Sequence, residues 1–598
     1  MARVEETLVE LPFPDLASSL PIADRTSLVG LSPNDIRAWT SARADEYLRS
    51  ARALFSIYNA VAPIHSLPAE ILSRIFEKCW TGRKSLRVGH VCRRWHSVLL
   101  DSKRFWAHAV NAGHFTPDDH STGYLGTVLQ RSAPRTIEPS FFHFSAGVPE
   151  CLALHAERVV SLEVACITHL VLSPLWSCLN SGTMPCLATL TITLDNDSYR
   201  SIVNAPIEDL SLSPAALPRL TRISAPVALF PTLGLPSLRH VTLDNPIKHE
   251  FLGGRLESER FCKAFTVCAP GLHTLTLIGA APYTTATPLS LPALCHLHVQ
   301  DTARCCSLLL LHLALSPTTC IHCTNVDGLG LRTTVPIASD AVRSTVGATD
   351  RVVITSTTET TSLHCYGGDE ERLRVDIPFS LTLATVPEGA QAAPVLRPDS
   401  LIEFFRDRAR VTGLTVVGEN RADMEMVEWR AFPHLVAATL RGQKAGYAVE
   451  NLARWQLGDG EGTPAHWQAG GSPATTVVCP GLKTLAVDFQ FVLGAQRTDG
   501  LGSALALRGG DVAGVEADLR KRCADLERAL SFRSETGTRL ERLEFGCTEQ
   551  GWSEGVEERK GTLDPLNSDW TSWRAIVEPL EKLVDGPVVF TGYRYLLM

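Results

Sequence analysis

From about residue 150 onward the chain keeps returning to one six-residue pattern, apolar-x-x-apolar-x-apolar, and no other feature constrains its fold so strongly. The pattern occurs at Val159/Leu162/Val164, Leu187/Leu190/Ile192, Ile207/Leu210/Leu212, Leu238/Val241/Leu243, Leu272/Leu275/Leu277 and Leu294/Leu297/Val299. It returns at Val411/Leu414/Val416, Leu435/Ala438/Leu440, Leu482/Leu485/Val487 and Leu540/Leu543/Phe545. Alternation over its last positions predicts a short strand with one buried face. The Pro or Gly that often introduces it, as in LPSLRHVTLDN, APGLHTLTLIG and CPGLKTLAVDF, ends the element before. That element is often a helix: residues 256–269 carry Phe261, Phe265 and Cys268 at helical spacing, and Asp399 can cap a helix bearing Leu401, Phe404 and Phe405. Residues 517–532 place Leu519, Cys523, Leu526 and Leu530 on one face. Helix, break and short strand in repetition predict an α/β solenoid, with an irregular α/β or all-β domain as the alternative.

The repeated segment resembles a leucine-rich repeat, and the resemblance implies parallel strands lining a concave sheet. Strand positions between the apolar ones, such as Thr191, Thr242, Thr276 and His298, are then the candidates for that face. The spacing between copies is irregular, and the Asn expected after the strand recurs only sporadically, as at Asn196 and Asn245. Between Val299 and Val411 the repeat is hard to follow: Val352/Ile354, Leu373/Val375 and Leu381/Leu383 read as strands interrupted by the Ser/Thr-rich ITSTTETTS. Two stretches, near 457–476 and 494–514, read as long flexible surface insertions with little to bury, and Trp467 in the first is expected to pack on a neighbouring repeat. At the end, Trp570, Trp573, Ile576, Leu580 and Leu583 followed by GPVVF repeat the helix-then-strand order and are expected to cap the array.

The N-terminal region is organised differently. Residues 1–30 read as a tail, and 31–62 as one amphipathic helix in which Ser32 is the cap, Pro33 the first helical residue and Asp35 an acid in the first turn. Tyr47, Ala51, Leu54, Phe55 and Tyr58 share one face of it, and packing on the next element is the simpler expectation, because sustained heptads are lacking. Next comes a helix with Glu70 in its first turn and Ile71, Leu72, Ile75, Phe76 and Cys79 as a stripe. After a break at 81–84 a second helix carries Val88, Val91, Trp95 and Leu99, and Asp101-Ser102 marks a turn before Phe105-Trp106. Three short helices in so few residues bury little surface by themselves, so the unit calls for a neighbour.

The segment Leu67-Pro68-Ala69-Glu70-Ile71-Leu72, with Ile75-Phe76, then Val91-Cys92-Arg93-Arg94-Trp95 and Phe105-Trp106, resembles an F-box domain over residues 63–110. His96 and Lys103-Arg104 depart from the family pattern outside the apolar stripe. The resemblance implies a compact helical hairpin that docks on the small adaptor subunit of SCF-type cullin-RING ubiquitin ligases. It nominates Leu67, Pro68, Ile71, Leu72, Ile75, Phe76, Val91, Cys92 and Trp95 as adaptor-binding. Ile75, Phe76, Val91 and Trp95 read equally as hairpin core. Leu67-Pro68, at the helix entrance, favours partner contact, and Arg93-Arg94 reads as a solvated face.

Composition narrows the partners. The 598 residues are 45% hydrophobic and 20% charged, which suits a folded chain, and a net charge of −8 offers no phosphate-seeking surface, so nucleic acid is not an expected partner. The longest apolar run, near 307–315, is too short for a membrane helix, and the start MARVEETLVE lacks a signal-peptide pattern, so the expected location is cytoplasmic or nuclear. Of the 17 cysteines only Cys305, Cys306, Cys320 and Cys323 gather, with His312 and His322 between them, and only Cys320 and Cys323 have a zinc-like spacing; neither a metal nor a cofactor is expected. No nucleotide-binding, metalloprotease or nucleophile-elbow motif occurs. The expected function is therefore non-catalytic; the F-box resemblance implies a substrate receptor of an SCF-type ligase whose repeat region holds a protein target, with a scaffold that uses the hairpin only for packing as the alternative.

Overall fold

The computed structural model describes residues 15, 18–115, 123–142, 144, 147–166, 172–181, 184–203, 212–230, 235–245, 258–281, 288–327, 329–357, 360–378, 398–405, 409–418, 429–442, 449, 452, 479–491, 512–549 and 578–591. It divides into two compact units, Met1–Gly113 with Gly123–Ile137, and His114–Thr122 with Glu138–Met598. Among the described residues no helix is long and apolar enough to cross a membrane.

The first unit is helical: α1 (Ile22–Ser27), α2 (Pro33–Ala60), α3 (Ala69–Lys78), α4 (Arg93–Asp101), α5 (Lys103–Asn111) and α6 (Tyr124–Ser132), with 3-10 segments Pro63–Ser66 and Arg83–His90. The stretch expected to be a tail thus contains a helix, and it is tied to α2. Asp24 is buried, bonded by Arg43 at 2.8 Å and by the Tyr47 hydroxyl, and these donors hold its carboxyl below the usual range. The start of α2 is as expected: the Ser32 hydroxyl accepts the Asp35 N–H at 3.3 Å and donates to the Asp35 carboxylate at 2.5 Å. Its apolar face is a correction, because no residue of α2 is buried. The elements that follow close on one another instead. Leu72 and Phe76 from α3, Leu99 from α4, Phe105, Trp106 and Val110 from α5, and Leu125, Val128 and Leu129 from α6 are buried together in this unit. Helix α6 lies beyond the three helices read from the sequence and adds the apolar surface that so small a hairpin needs.

The second unit is built on strands β1 (His114–Phe115), β2 (Ser140–Phe141), β3 (Ser161–Cys166), β4 (Thr189–Leu194), β5 (Arg222–Pro226), β6 (His240–Asp244), β7 (Thr274–Ile278), β8 (Leu289–Leu291), β9 (His296–Asp301) and β10 (Leu313–Leu315). It continues with β11 (Cys320–Asn325), β12 (Arg351–Ser356), β13 (Thr360–Gly367), β14 (Glu370–Pro378), β15 (Gly413–Gly418), β16 (Ala437–Gly442), β17 (Thr484–Phe491), β18 (Arg542–Glu549) and β19 (Val588–Thr591). Apart from the small β8–β10 pair, all of them join one 17-stranded sheet. From β1 to β11 each sheet strand lies parallel to the next. The same holds from β15 to β19. Between these runs β14, β13 and β12 form an antiparallel meander, with β14 parallel to β11 and β12 parallel to β15.

The register explains the six-residue pattern. Its middle apolar residues align as Leu162, Leu190, Ile223, Val241, Leu275, Leu297, Ile321 and Leu373 on adjacent strands, all buried. The last apolar residues form a second column two residues on, through Leu243, Leu277, Val299, Cys323 and Val375. Alternate residues point to opposite faces, so one local pattern fills one side of the sheet.

Several sequence expectations change here. Of Ile207/Leu210/Leu212, the first two lie outside the described residues and Leu212 is not in a strand; the strand of this repeat is β5, carried by Leu220, Ile223 and the weakly apolar Ala225. Strand β11 carries no Leu and is absent from the strands read in the sequence. The segment ITSTTETTS does not interrupt strands but supplies the ends of β12 and β13, where the Thr357 hydroxyl accepts the Thr360 N–H at 3.0 Å. Asp399 lies inside the helix Pro398–Phe405 rather than before it. The helix expected over 517–532 spans Val512–Glu535, so it takes residues 512–514 from the second insertion. Residues 457–476, 494–511, Leu381, Leu383, Trp467, Trp570, Trp573 and Ile576 lie outside the described residues. Leu580 is buried, and GPVVF yields β19, paired parallel to β18.

The asparagine position is filled more often than the sequence indicated. Asp301 and Asn325 stand side by side at the ends of β9 and β11, both fully buried. Asp301 accepts the N–H groups of Ala281 (3.1 Å) and Thr302 (2.7 Å), while Asn325 donates to the Leu329 carbonyl and accepts the Asp327 N–H at 2.8 Å. Asp301 thereby satisfies the buried Ala281 N–H, and Asn325 holds the half-exposed turn that follows β11.

Candidate protein-docking site

The chain enters α3 through Leu67 and Pro68. The Pro68 carbonyl accepts the N–H groups of Ile71 and Leu72 at 3.1 Å, which begins the helix, and Arg94 donates to the Leu67 carbonyl at 2.5 Å, so Arg94 does more than solvate a face. Leu67 is half-buried and Pro68 exposed. One turn on, neighbours in sequence part company: Ile71 is 41% exposed whereas Leu72 is fully buried, and Phe76 is buried below it. Leu72 and Phe76 are therefore core and leave the set of candidate contacts, since a helix turns by about 100° per residue and presents adjacent side chains to different surroundings.

The second helix does not start at Val88. Val88 belongs to the 3-10 segment, Val91 follows that segment with 50% of its surface exposed, and α4 begins at Arg93. Cys92 is its cap: the thiol accepts the Trp95 N–H at 3.4 Å and lies 3.7 Å from His65 Nε2. Trp95 is half-buried, its ring 5.1 Å from that of Phe76 and 6.1 Å from that of His65. Ile75 is half-buried as well. The outward apolar groups are thus Pro68, Ile71 and Val91, joined by Ile64, which sequence reasoning passed over because it precedes the helix. The departing pair Lys103-Arg104 has a structural use, with Arg104 2.7 Å from the Glu77 carboxylate of α3. Ser102 caps α5 by accepting the Phe105 N–H at 3.2 Å.

Residues 64–111 match the F-box-like family model. No curated protein matches the chain. The match spans α3, α4 and α5, so the cap at Cys92, the anchored Leu67 carbonyl and the outward edge at Pro68, Ile71 and Val91 all belong to the F-box-like domain.

The second unit presents a different surface. On the solvent side of its sheet the register aligns Thr191, Ser224, Thr242, Thr276, His298, His322 and Arg374 in one half-exposed row. From Thr191 to Thr276 the positions are small hydroxyls, and from His298 to Arg374 they are aromatic and charged. His298 and His322 stack at 4.4 Å and 11°, His322 Nε2 is 2.7 Å from Asp376, and Arg374 is 2.9 Å from the same carboxylate. Burial and the adjacent His322 lower the pKa of His298. Burial opposes ionisation of Asp376, but hydrogen bonds from His322 and Ser362 and the charge of Arg374 prevail and hold its pKa well below the usual carboxylate range.

The cysteine cluster does not converge. Cys320 and Cys323 lie three apart on one strand and so face opposite sides of the sheet, one half-buried and one buried. Burial pushes the Cys323 thiol up to about 12 and raises that of Cys306 further.

A pH dependence follows from the lowered pKa values of His298, His155 and His240, in each of which burial is the largest cause. Their folded pKa lies below the unfolded one, so the unfolded chain takes up protons first and stability falls as pH drops from about 6.5 through the folded values. Urea unfolding is expected to show a lower midpoint at pH 5 than at pH 7, and His298→Gln is expected to flatten that difference. An unchanged slope would show that His298 is not a source.

Proposed function

We propose that this chain is a non-catalytic substrate receptor of an SCF-type ubiquitin ligase. The F-box-like domain docks on the ligase's small adaptor subunit, and the long sheet, read as a leucine-rich-repeat-like solenoid, holds a protein to be ubiquitinated. The observation that carries the reading is the family match at residues 64–111 together with the exposed apolar edge at Pro68, Ile71 and Val91. The scaffold alternative is weaker, because a hairpin kept only for internal packing has no use for that edge. The solenoid reading is supported by the in-order parallel strands, the two apolar columns and the buried polar residues that end β9 and β11. A broad row of small hydroxyls leading into an aromatic and charged stretch suits a macromolecular surface rather than an enclosed small molecule.

Co-expression with the adaptor subunit tests the first half. The intact chain is expected to retain the adaptor through affinity purification and gel filtration, alongside a control F-box protein. Loss of the adaptor under conditions where the control keeps it would sink the ligase reading.

A further inference from the structure

The outward apolar groups of the F-box-like domain come from two separate segments of the chain. Ile64, Pro68 and Ile71 belong to the entrance of α3, and Val91 stands just before the start of α4. Two contacts, each spanning 27 residues, join these segments: Arg94 Nη2 donates to the Leu67 carbonyl at 2.5 Å, and the Cys92 thiol lies 3.7 Å from His65 Nε2. We propose, resting on the ligase reading, that Arg94 is a positioning residue for adaptor docking. It acts through Leu67 rather than by touching the adaptor, holding the entrance of α3 to the start of α4 so that the four apolar groups meet their partner as one preformed edge.

The entrance of α3 needs such a hold, because it lacks the device that fixes the other two helices. Cys92 caps α4 and Ser102 caps α5 with a side-chain acceptor, whereas the cap position of α3 is Pro68, which makes no side-chain bond. Leu67 and Pro68 are both extended, with ψ of 139° and 151°. The Leu67 N–H reaches the Ile64 carbonyl at a long 3.4 Å. The Pro68 carbonyl takes the first helical bonds, so the Leu67 carbonyl lies outside the helix's own ladder and is open to an outside donor. Arg94 supplies that donor from the first turn of a capped helix, and a bond from a charged donor is roughly twice as strong as a neutral one. The Trp95 ring adds to the same junction, 6.1 Å from His65 before α3 and 5.1 Å from Phe76 within it. An edge already ordered in the free chain is spared the cost of ordering when the partner binds.

Two measurements on the full chain test this: adaptor affinity by calorimetry, and amide hydrogen exchange without adaptor, followed by mass spectrometry over residues 64–72. Arg94→Ala is expected to weaken adaptor binding about fivefold and to speed exchange over that stretch by a similar factor, while α5 and α6 exchange at the parent rate. Arg94 is exposed, so the substitution disturbs no buried side chain. Arg94→Lys is expected to recover most of both effects, because one N–H suffices for a single carbonyl. Arg93→Ala removes the same charge from the neighbouring exposed position and is expected to leave the exchange unchanged. Equal capture of the adaptor with and without Arg94 overturns the proposal and leaves the ligase reading standing. Weaker capture with unchanged exchange also overturns it, since Arg94 then touches the adaptor directly. The same holds for faster exchange that extends through α5 and α6, or that Arg93→Ala reproduces. A parent chain that captures no adaptor sinks the ligase reading and the role of Arg94 with it.

Discussion

Ile71→Glu is expected to abolish capture of the SCF adaptor while leaving the protein as stable as before, and Leu72→Ala to do the reverse by a different route. Ile71 on α3 is 41% exposed, so a charge there meets solvent in the isolated chain and an apolar partner in the proposed complex. Central apolar contacts at interfaces are worth about 2 kcal/mol or more, at least roughly thirtyfold in affinity, and burying an unpaired carboxylate adds to the loss. An exposed substitution of this kind changes folding stability by only about 0.5 kcal/mol. Leu72 sits one residue on with no exposed surface, and truncating it costs about 2–5 kcal/mol of the helical unit. Adaptor binding by calorimetry and unfolding by circular dichroism separate the two. Unchanged capture by Ile71→Glu means that the docking edge lies elsewhere on the domain.

Arg533→Ala is expected to destabilise the C-terminal part of the sheet by about 3–5 kcal/mol. Arg533, on the helix Val512–Glu535, is 1% exposed, and its guanidinium donates to the carbonyls of Cys479 (3.0 Å) and Leu482 (2.9 Å) just before β17. The fork thereby ties the helix to the loop that opens the next strand. Removing it takes the guanidinium donor from the buried Leu482 carbonyl, leaves the Cys479 carbonyl with the Leu482 N–H, and opens a cavity the size of a large side chain. Arg533→Lys is expected to recover only part of the loss, because a single ammonium cannot reproduce the planar two-point contact. Urea titration followed by limited proteolysis around residues 512–549 measures this. A variant that unfolds at the parent midpoint would show that the two bonds contribute little.

The outward-facing set and the core set of the F-box-like domain are interleaved in the sequence, and α3 shows why. Leu67, Pro68, Ile71, Leu72, Ile75 and Phe76 form one broad apolar stripe, and a stripe wider than the groove it fills must leave an edge outside. Which edge depends on where α5 and α6 lie, and α6 is separated from α3 by the whole of α4 and α5. Cys92 is nominated as a contact by the F-box resemblance; its capping geometry needs the backbone turn at the start of α4, which composition does not reveal. Arg94 reads as solvated because a surface Arg is the commonest kind, and its bond to Leu67 spans 27 residues.

Strand positions are legible because their signal is local. A period of two, repeated after a Pro or Gly break, specifies which residues face inward irrespective of what lies beyond the strand. That reasoning locates β3, β4, β6, β7, β9 and β15 to β18, and it fails where the local signal weakens, at Ala225 in β5 and at β11, where a Cys takes the place of Leu. The meander is legible only in part: Val352/Ile354 and Leu373/Val375 fall in β12 and β14, but β13 goes unread, because antiparallel strands need no crossover helix and the helix-break-strand cadence vanishes although the apolar columns continue. By itself the sequence determined the alternation that builds the sheet and the helical hairpin at residues 64–111. The tertiary structure alone decided that Asp301 and Asn325 are buried side by side, and that nothing among the described residues covers the apolar side chains of α2. Each of these depends on which surfaces meet across long separations in the chain, and a periodic pattern reports only the face a residue points to, never what is there to receive it.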